Sequence, residues 1–183
     1  MSRRQGFAVL VTAIVSLLIA SRIGFYRVRL RASRLLTALP DWLVPQKLSV
    51  LPPPPAEYVG VWNVSPEKAR TRLRSEFGFQ QLLRAYFHSY TRNDRTVHEV
   101  GSYVYRPDGF SSTHQLHVRL FPTATGRTEL WCHWELNPNW SPIAHLKRVG
   151  YDPAEGERRL RRHLADEPLS IPDEADLPPV ADS

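Results

Sequence analysis

The feature that most constrains this chain is an uncharged, apolar segment near its N-terminus, between Arg4 and Arg22. Its seventeen residues, 5–21, read QGFAVLVTAIVSLLIAS. As a helix they would extend about 25 Å, slightly less than the hydrocarbon core of a bilayer, which is about 30 Å thick. The residues IGFY at 23–26 can lengthen this stretch and give it an aromatic interfacial end. The segment therefore predicts a transmembrane helix over 6–26.

Two other interpretations of the apolar segment stay open. The basic start (Arg3 and Arg4) and the apolar run are typical of a cleaved signal peptide, but the five arginines that follow would then have to cross the membrane. The second alternative is a buried core helix, and such helices rarely run this far without a charge. We therefore favour the spanning anchor over both.

The arginines that follow the segment also predict its orientation, because Lys and Arg accumulate on the cytoplasmic side of a membrane. Residues 1–5 become a short external tail, and the rest of the chain becomes a cytoplasmic part of a single-pass cell-membrane protein. Five arginines are expected to face a bilayer with anionic head groups: Arg22, Arg27, Arg29, Arg31 and Arg34.

The remaining chain divides by composition. Residues 27–56 combine a basic juxtamembrane helix with a linker that contains four consecutive prolines, Pro52 to Pro55, which favour an extended polyproline conformation. Residues 57–165 are expected to form a soluble domain. Residues 166–183 carry six acidic side chains and no basic one, which predicts a disordered tail.

Hydrophobic patterning predicts an α+β domain with the order β-α-β-β-β-β-α, an antiparallel sheet with helices on one face. Residues 80–90 are ambiguous between helix and strand, and we favour a strand. Ser65-Pro66 and Asp152-Pro153 are typical helix starts, with a capping side chain followed by proline. The predicted strands are Tyr58–Trp62, 80–90, Val97–Tyr105, His114–Phe121 and Glu129–Leu136.

The two central strands alternate apolar and polar residues. If their hairpin pairs residues whose numbers sum to 250, His117 lies opposite His133, on the same face as Glu135. Two imidazoles and a carboxylate can bind a divalent metal or share a proton. A solvated or helix-covered sheet face is the more conservative interpretation and the one we favour. We therefore assign no catalytic residue, no metal ligand and no cofactor from the sequence.

Other chemical signals are weak. No Gly-x-Ser-x-Gly, Walker or dinucleotide-binding pattern is present, and Cys132 shares the inward face of its strand, which suits an inert thiol. The basic run Arg158 to Arg162 could contact nucleic acid, but a solvated helix end explains it better. Trp131 and Trp140, with Arg119, form a possible protein-binding patch.

Three segments of the second half of the domain resemble small uncharacterised membrane-anchored proteins of halophilic archaea: VRLFP (118–122), GRTELWCHWE (126–135) and PIAHLKRVGYDPAEGERRLRRHL (142–164). The resemblance implies no particular chemistry, because those proteins have no established role. The sequence as a whole predicts a membrane-anchored, non-enzymatic domain that works through a membrane or cytoplasmic protein partner at the inner membrane surface. The alternatives are a metal-binding or enzymatic module that uses His117, His133 and Glu135, and a membrane-proximal nucleic-acid binder.

Overall fold

The computed structural model describes residues 27–39, 50–82 and 87–170. In chain order its elements are helix α1 (27–38), β1 (Tyr58–Trp62), α2 (Pro66–Ser75), β2 (Gln80–Gln81), β3 (Ser89–Arg92), β4 (Arg95–His98), β5 (Gly101–Tyr105), β6 (His114–Pro122), β7 (Thr128–Leu136), α3 (Pro142–Leu146), α4 (Pro153–His163) and β8 (Leu169–Ser170). Six strands form one antiparallel sheet in the order β2-β5-β6-β7-β1-β8, and β3 pairs with β4 in a separate hairpin. The domain is therefore α+β with an antiparallel sheet, as the patterning predicts.

The membrane-spanning part of the predicted fold class has to be corrected. The predicted transmembrane helix, 6–26, lies outside the described residues. None of the helices in the described ranges combines the length and the hydrophobicity that crossing a bilayer requires. Helix α1 illustrates the physical reason, because it carries four arginines over 27–38 and each guanidinium is costly to place in hydrocarbon.

The predicted strand over 97–105 is divided in two. Glu99 and Val100 separate β4 from β5, and β4 turns back to pair with β3 instead of continuing in the sheet. The β3–β4 turn has positive φ at both central residues, Asn93 (48°) and Asp94 (58°), which matches the twist of a tight hairpin. Asn and Asp tolerate this backbone conformation better than most residues.

The strand predicted over 80–90 is only partly present. Strand β2 covers Gln80–Gln81, residues 83–86 lie outside the described ranges, and β3 begins at Ser89. Part of the predicted disordered tail, 166–183, is a strand, because β8 pairs with β1 through Leu169 and Ser170. The rest of that tail, 171–183, lies outside the described residues.

One face of the sheet packs against α2 and α4. Both helices begin as predicted, with Ser65 and Asp152 accepting backbone hydrogen bonds as N-caps. Their apolar residues join those of the central strands in one buried core: Ala69, Leu73, Leu116, Val118, Leu120, Leu130, Cys132, Leu160 and Leu164. Cys132 is buried there, and burial raises the pKa of its thiol, which fits an inert side chain.

The opposite face of the sheet was expected to be solvated or covered by helix; it is covered, at one end by a hairpin and at the other by a short 3-10 helix. The β3–β4 hairpin lies over one end of it, where Tyr90 packs on Phe121 and Trp131. A one-turn 3-10 helix, Pro55–Glu57, and the segment around Tyr151 lie over the other end, where Glu57 and Tyr151 contact each other. The polar side chains of this face are therefore inside the protein.

Candidate metal centre

Strands β6 and β7 pair in the register considered above, in which the numbers of paired residues sum to 250. The Cα partners include His117 with His133, and Gln115 with Glu135. Because side chains two residues apart in a strand share a face, these four side chains lie together. The conditional prediction that the hairpin brings both imidazoles and the carboxylate together is therefore confirmed.

The donor atoms of His117, His133 and Glu135 form a compact group, with one ligand atom from each side chain within 4.8 Å of the others. His133 Nε2 lies 2.9 Å from Glu135 Oε2, and His117 Nδ1 lies 3.6 Å from Glu135 Oε1. The two imidazole rings are 4.9 Å apart between centroids. All three side chains are buried, with exposed fractions of 6%, 3% and 9%.

In each imidazole, the ring nitrogen that faces away from Glu135 also has a polar partner. His117 Nε2 lies 2.8 Å from Ser102 Oγ, and His133 Nδ1 lies 3.0 Å from Glu57 Oε1. The carboxylate of Glu135 accepts a 2.6 Å hydrogen bond from the Gln115 amide. Metal-binding histidines have such a partner on the nitrogen that faces away from the ion, and the partner fixes the ring orientation.

A second layer fixes Glu57, which is itself fully buried. Arg119 donates to Glu57 Oε2, and the Tyr151 hydroxyl donates to Glu57 Oε1 at 2.7 Å. The ring of Tyr151 also packs 4.9 Å from the ring of His133. Arg119 and Tyr151 therefore fix the position of the Glu57 carboxylate. That carboxylate in turn orients the imidazole of His133.

Helix α3 contributes His145 at the edge of the cluster. Its Nδ1 lies 2.9 Å from the carbonyl oxygen of Leu136 and 3.3 Å from Glu135 Oε2. Its side chain is 27% exposed, against 9% for Glu135. His145 therefore lies between the carboxylate and solvent.

Burial decides the protonation states of the cluster. It lowers the pKa of His117 to about 3 and also lowers the pKa of His133, so both imidazoles are neutral near pH 7. Burial alone would raise the pKa of Glu135, but the hydrogen bonds that its carboxylate accepts from His133 and from the Gln115 amide lower it to about 2. Neutral imidazole and ionised carboxylate are the forms that bind metal ions.

The sequence patterns did not identify three residues that support the site: Glu57, Ser102 and Tyr151. They come from the 3-10 helix before β1, from β5 and from the loop before α4. No motif links them to the hairpin, since each reaches the cluster through tertiary folding. The alternation of β6 and β7 could indicate only the three donors.

The sequence-predicted protein patch is divided by the fold. Trp131 and Arg119 are buried, Trp131 in an aromatic cluster and Arg119 against Glu57. Trp140 is 53% exposed and lies beside Phe110, with 5.4 Å between ring centroids. The three residues therefore do not form one surface.

The sequence-predicted lipid-facing arginines are also divided. Arg29 is buried and pairs with Glu99 at 3.4 Å, so it faces the β4–β5 connection and not the outside. Arg22 lies outside the described residues, and three arginines of α1 are exposed: Arg27, Arg31 and Arg34.

The basic run on α4 is largely paired within its own helix. Arg158 and Arg159 pair with Glu155, and Arg161 pairs with Glu157. These pairs reduce the positive charge available to a phosphate backbone.

The cluster of His117, His133 and Glu135 is the one group of three histidine, cysteine or carboxylate side chains in the described ranges that brings its donor atoms close enough for a shared ion. Each of its members also has an outer polar partner: Ser102 for His117, Glu57 for His133 and Gln115 for Glu135. No protein-family model, curated protein or solved structure matches the chain.

Proposed function

We propose that this protein binds a divalent transition-metal ion through His117, His133 and Glu135. The observation that carries the proposal is the convergence of three buried donors whose outer partners are already in place. The metal-binding alternative is therefore preferred here over a purely structural sheet face.

One donor spacing is close to the separation expected for two ligands of one ion. The 3.6 Å between His117 Nδ1 and Glu135 Oε1 is longer than a hydrogen bond. It is close to the separation of two ligands on a tetrahedral zinc ion, about 3.3 Å for bonds of about 2.0 Å. The 2.9 Å contact between His133 and Glu135 would open slightly as the ion replaced that hydrogen bond.

The donor set favours particular ions. Two imidazole nitrogens and one carboxylate oxygen suit Zn²⁺, Fe²⁺ or Co²⁺ better than Ca²⁺ or Mg²⁺, which prefer oxygen ligands. Cys132 lies in the core on the opposite face, so it adds no sulfur ligand. Three protein ligands leave at least one position for water or another molecule, as in catalytic sites and unlike closed four-ligand structural sites.

A Co²⁺ titration of the full chain, followed by visible absorption, tests the proposal. We expect saturation at one ion per chain, and loss of that binding in His133→Ala. The matched control is His114→Ala, because His114 lies on β6 but stacks on Trp134, on the other face of the sheet. Absence of stoichiometric binding, or equal binding by the two variants, would overturn the proposal.

A protein-interaction role is a second proposal, supported by a group of exposed apolar side chains around α3. They are Phe110, Trp140, Ile143, Leu146 and Val149, each more than half exposed. Apolar surface of this kind is common in binding sites for other proteins. Crosslinking in cells, compared between the wild type and Ile143→Ser/Leu146→Ser, tests this role, and identical crosslinked products would exclude it.

A further inference from the structure

A cavity of about 660 Å³ lies between α1, the β3–β4 hairpin and the loop that follows β6. Small-molecule sites in proteins usually have volumes of about 300–1,000 Å³. His117, His133 and Glu135 do not line this cavity. It is therefore separate from the proposed metal centre.

The cavity has an apolar wall. Leu30 from α1, Val97 from β4, Val100 and Pro122 line it. Val100 is buried, and Leu30 packs against the same core as Val100. This wall could accept a hydrocarbon chain or ring and remove it from water.

The rest of the lining is basic. Arg34, Arg92 and Arg95 contribute guanidinium groups, and none of the described lining residues is acidic. Arg92 is already engaged, since it pairs with Glu129 at 2.5 Å. Arg34 and Arg95 are exposed, and no carboxylate of the described residues forms an ion pair with either.

The walls are held together without a ligand. Arg29 pairs with Glu99 at 3.4 Å, and Ser33 Oγ lies 2.8 Å from His98 Nδ1, so two contacts fix α1 against the end of β4 and the residue that follows it. The tight turn at Asn93 and Asp94 fixes the hairpin itself. The cavity is thus formed before anything binds, which lowers the entropic cost of binding.

We infer that this cavity binds an amphipathic organic anion, a carboxylate attached to an apolar chain or ring. The carboxylate would lie between Arg34 and Arg95, whose planar guanidinium groups can bind it through paired hydrogen bonds. The apolar part would lie on Leu30, Val97 and Val100. The inference is independent of the metal centre, and it is tested with chelator present.

Calorimetric titration of the full chain with decanoate, kept below its micellar concentration, tests the inference. We expect saturable binding at one decanoate per chain, and affinity at least tenfold lower for 1-decanol and for decylamine. Arg34→Gln/Arg95→Gln should weaken decanoate binding at least tenfold. Arg31→Gln, an exposed α1 position that does not line the cavity, should leave it unchanged.

Three results would overturn the inference. The first is the absence of saturable decanoate binding. The second is equal affinity for decanoate and 1-decanol, which would remove the role of the charge. The third is unchanged affinity in Arg34→Gln/Arg95→Gln with an unchanged circular dichroism spectrum, which would place the binding at another apolar surface.

Discussion

Helix α4 lies so close to β7 that one added methyl group should destabilise the fold. A Cβ on Gly156 would lie 2.5 Å from His133 Cα, 2.7 Å from His133 C and 2.8 Å from Trp134 N. All three are backbone atoms of a central strand, so no side-chain rotation can relieve the contact. In Gly156→Ala the helix or the strand has to move.

Two opposing effects set the size of the change. Alanine favours a helix over glycine by about 1 kcal/mol, whereas overpacking a buried contact costs about 1–3 kcal/mol and more when backbone has to move. Because the crowded atoms are backbone, we take an overpacking cost of about 3 kcal/mol and expect a net loss of about 2 kcal/mol in the free energy of unfolding. For a chain of this size that lowers the melting temperature by about 4–8 °C.

Urea unfolding followed by circular dichroism measures this loss. Ala154→Gly, at an exposed position of the same helix, is the control and should lose no more than about 1 kcal/mol through helix propensity alone. Because two of the three crowded atoms belong to His133, Gly156→Ala should also bind metal more weakly while it is folded. If Gly156→Ala is as stable as the wild type or more stable, the close approach of α4 to β7 is refuted.

Three further changes test other parts of the structure. Leu160→Ala, at a fully buried core position, should cost about 2–5 kcal/mol of unfolding free energy in the same assay, and a loss under 1 kcal/mol would contradict the packing. Burial lowers the pKa of His163 below 6.5, so as the pH falls the unfolded chain binds a proton before the folded chain does, and stability decreases below about pH 6.5. The urea midpoint of His163→Gln should therefore change less between pH 7 and pH 5 than that of the wild type. An equal change in the two proteins would contradict the lowered pKa of His163. Glu57→Gln should weaken metal binding by about 10- to 100-fold while keeping the stoichiometry, and unchanged affinity would remove Glu57 from its positioning role.

Local signals explain the parts of the fold that the sequence predicts well. The caps at Ser65 and Asp152 depend on neighbouring residues, and β1 is bounded as expected at Tyr58–Trp62. The alternation along β6 and β7 determines which side chains share a face, and the observed pairing is the one in which paired residue numbers sum to 250. That register brings the three donors of the candidate site together.

The sequence predictions are wrong where contacts between distant segments determine which side chains are buried and where a strand ends. Residues 114–122 and 128–136 look half-solvated in isolation, because half of their side chains are polar. Glu57 and Tyr90 come from other parts of the chain and bury those side chains by bonding to His133 and Glu129. The break at Glu99 has the same origin, since its carboxylate pairs with Arg29 of α1.

The apolar segment that suggested a transmembrane helix lies outside the described residues, and the helix that follows, α1, packs on the domain through Arg29 and Ser33. Location in a cell membrane, contact with anionic lipid and a cytoplasmic domain stay predictions from sequence.

X-ray absorption spectroscopy of the full chain loaded with one zinc ion tests the proposed centre most directly, because it identifies the donor atoms. We predict a first shell of nitrogen and oxygen at about 2.0 Å, with the outer-shell scattering of two imidazoles and no sulfur. A sulfur shell at about 2.3 Å would assign the ion to Cys132. An oxygen-only shell without imidazole scattering would also contradict the assignment to His117 and His133.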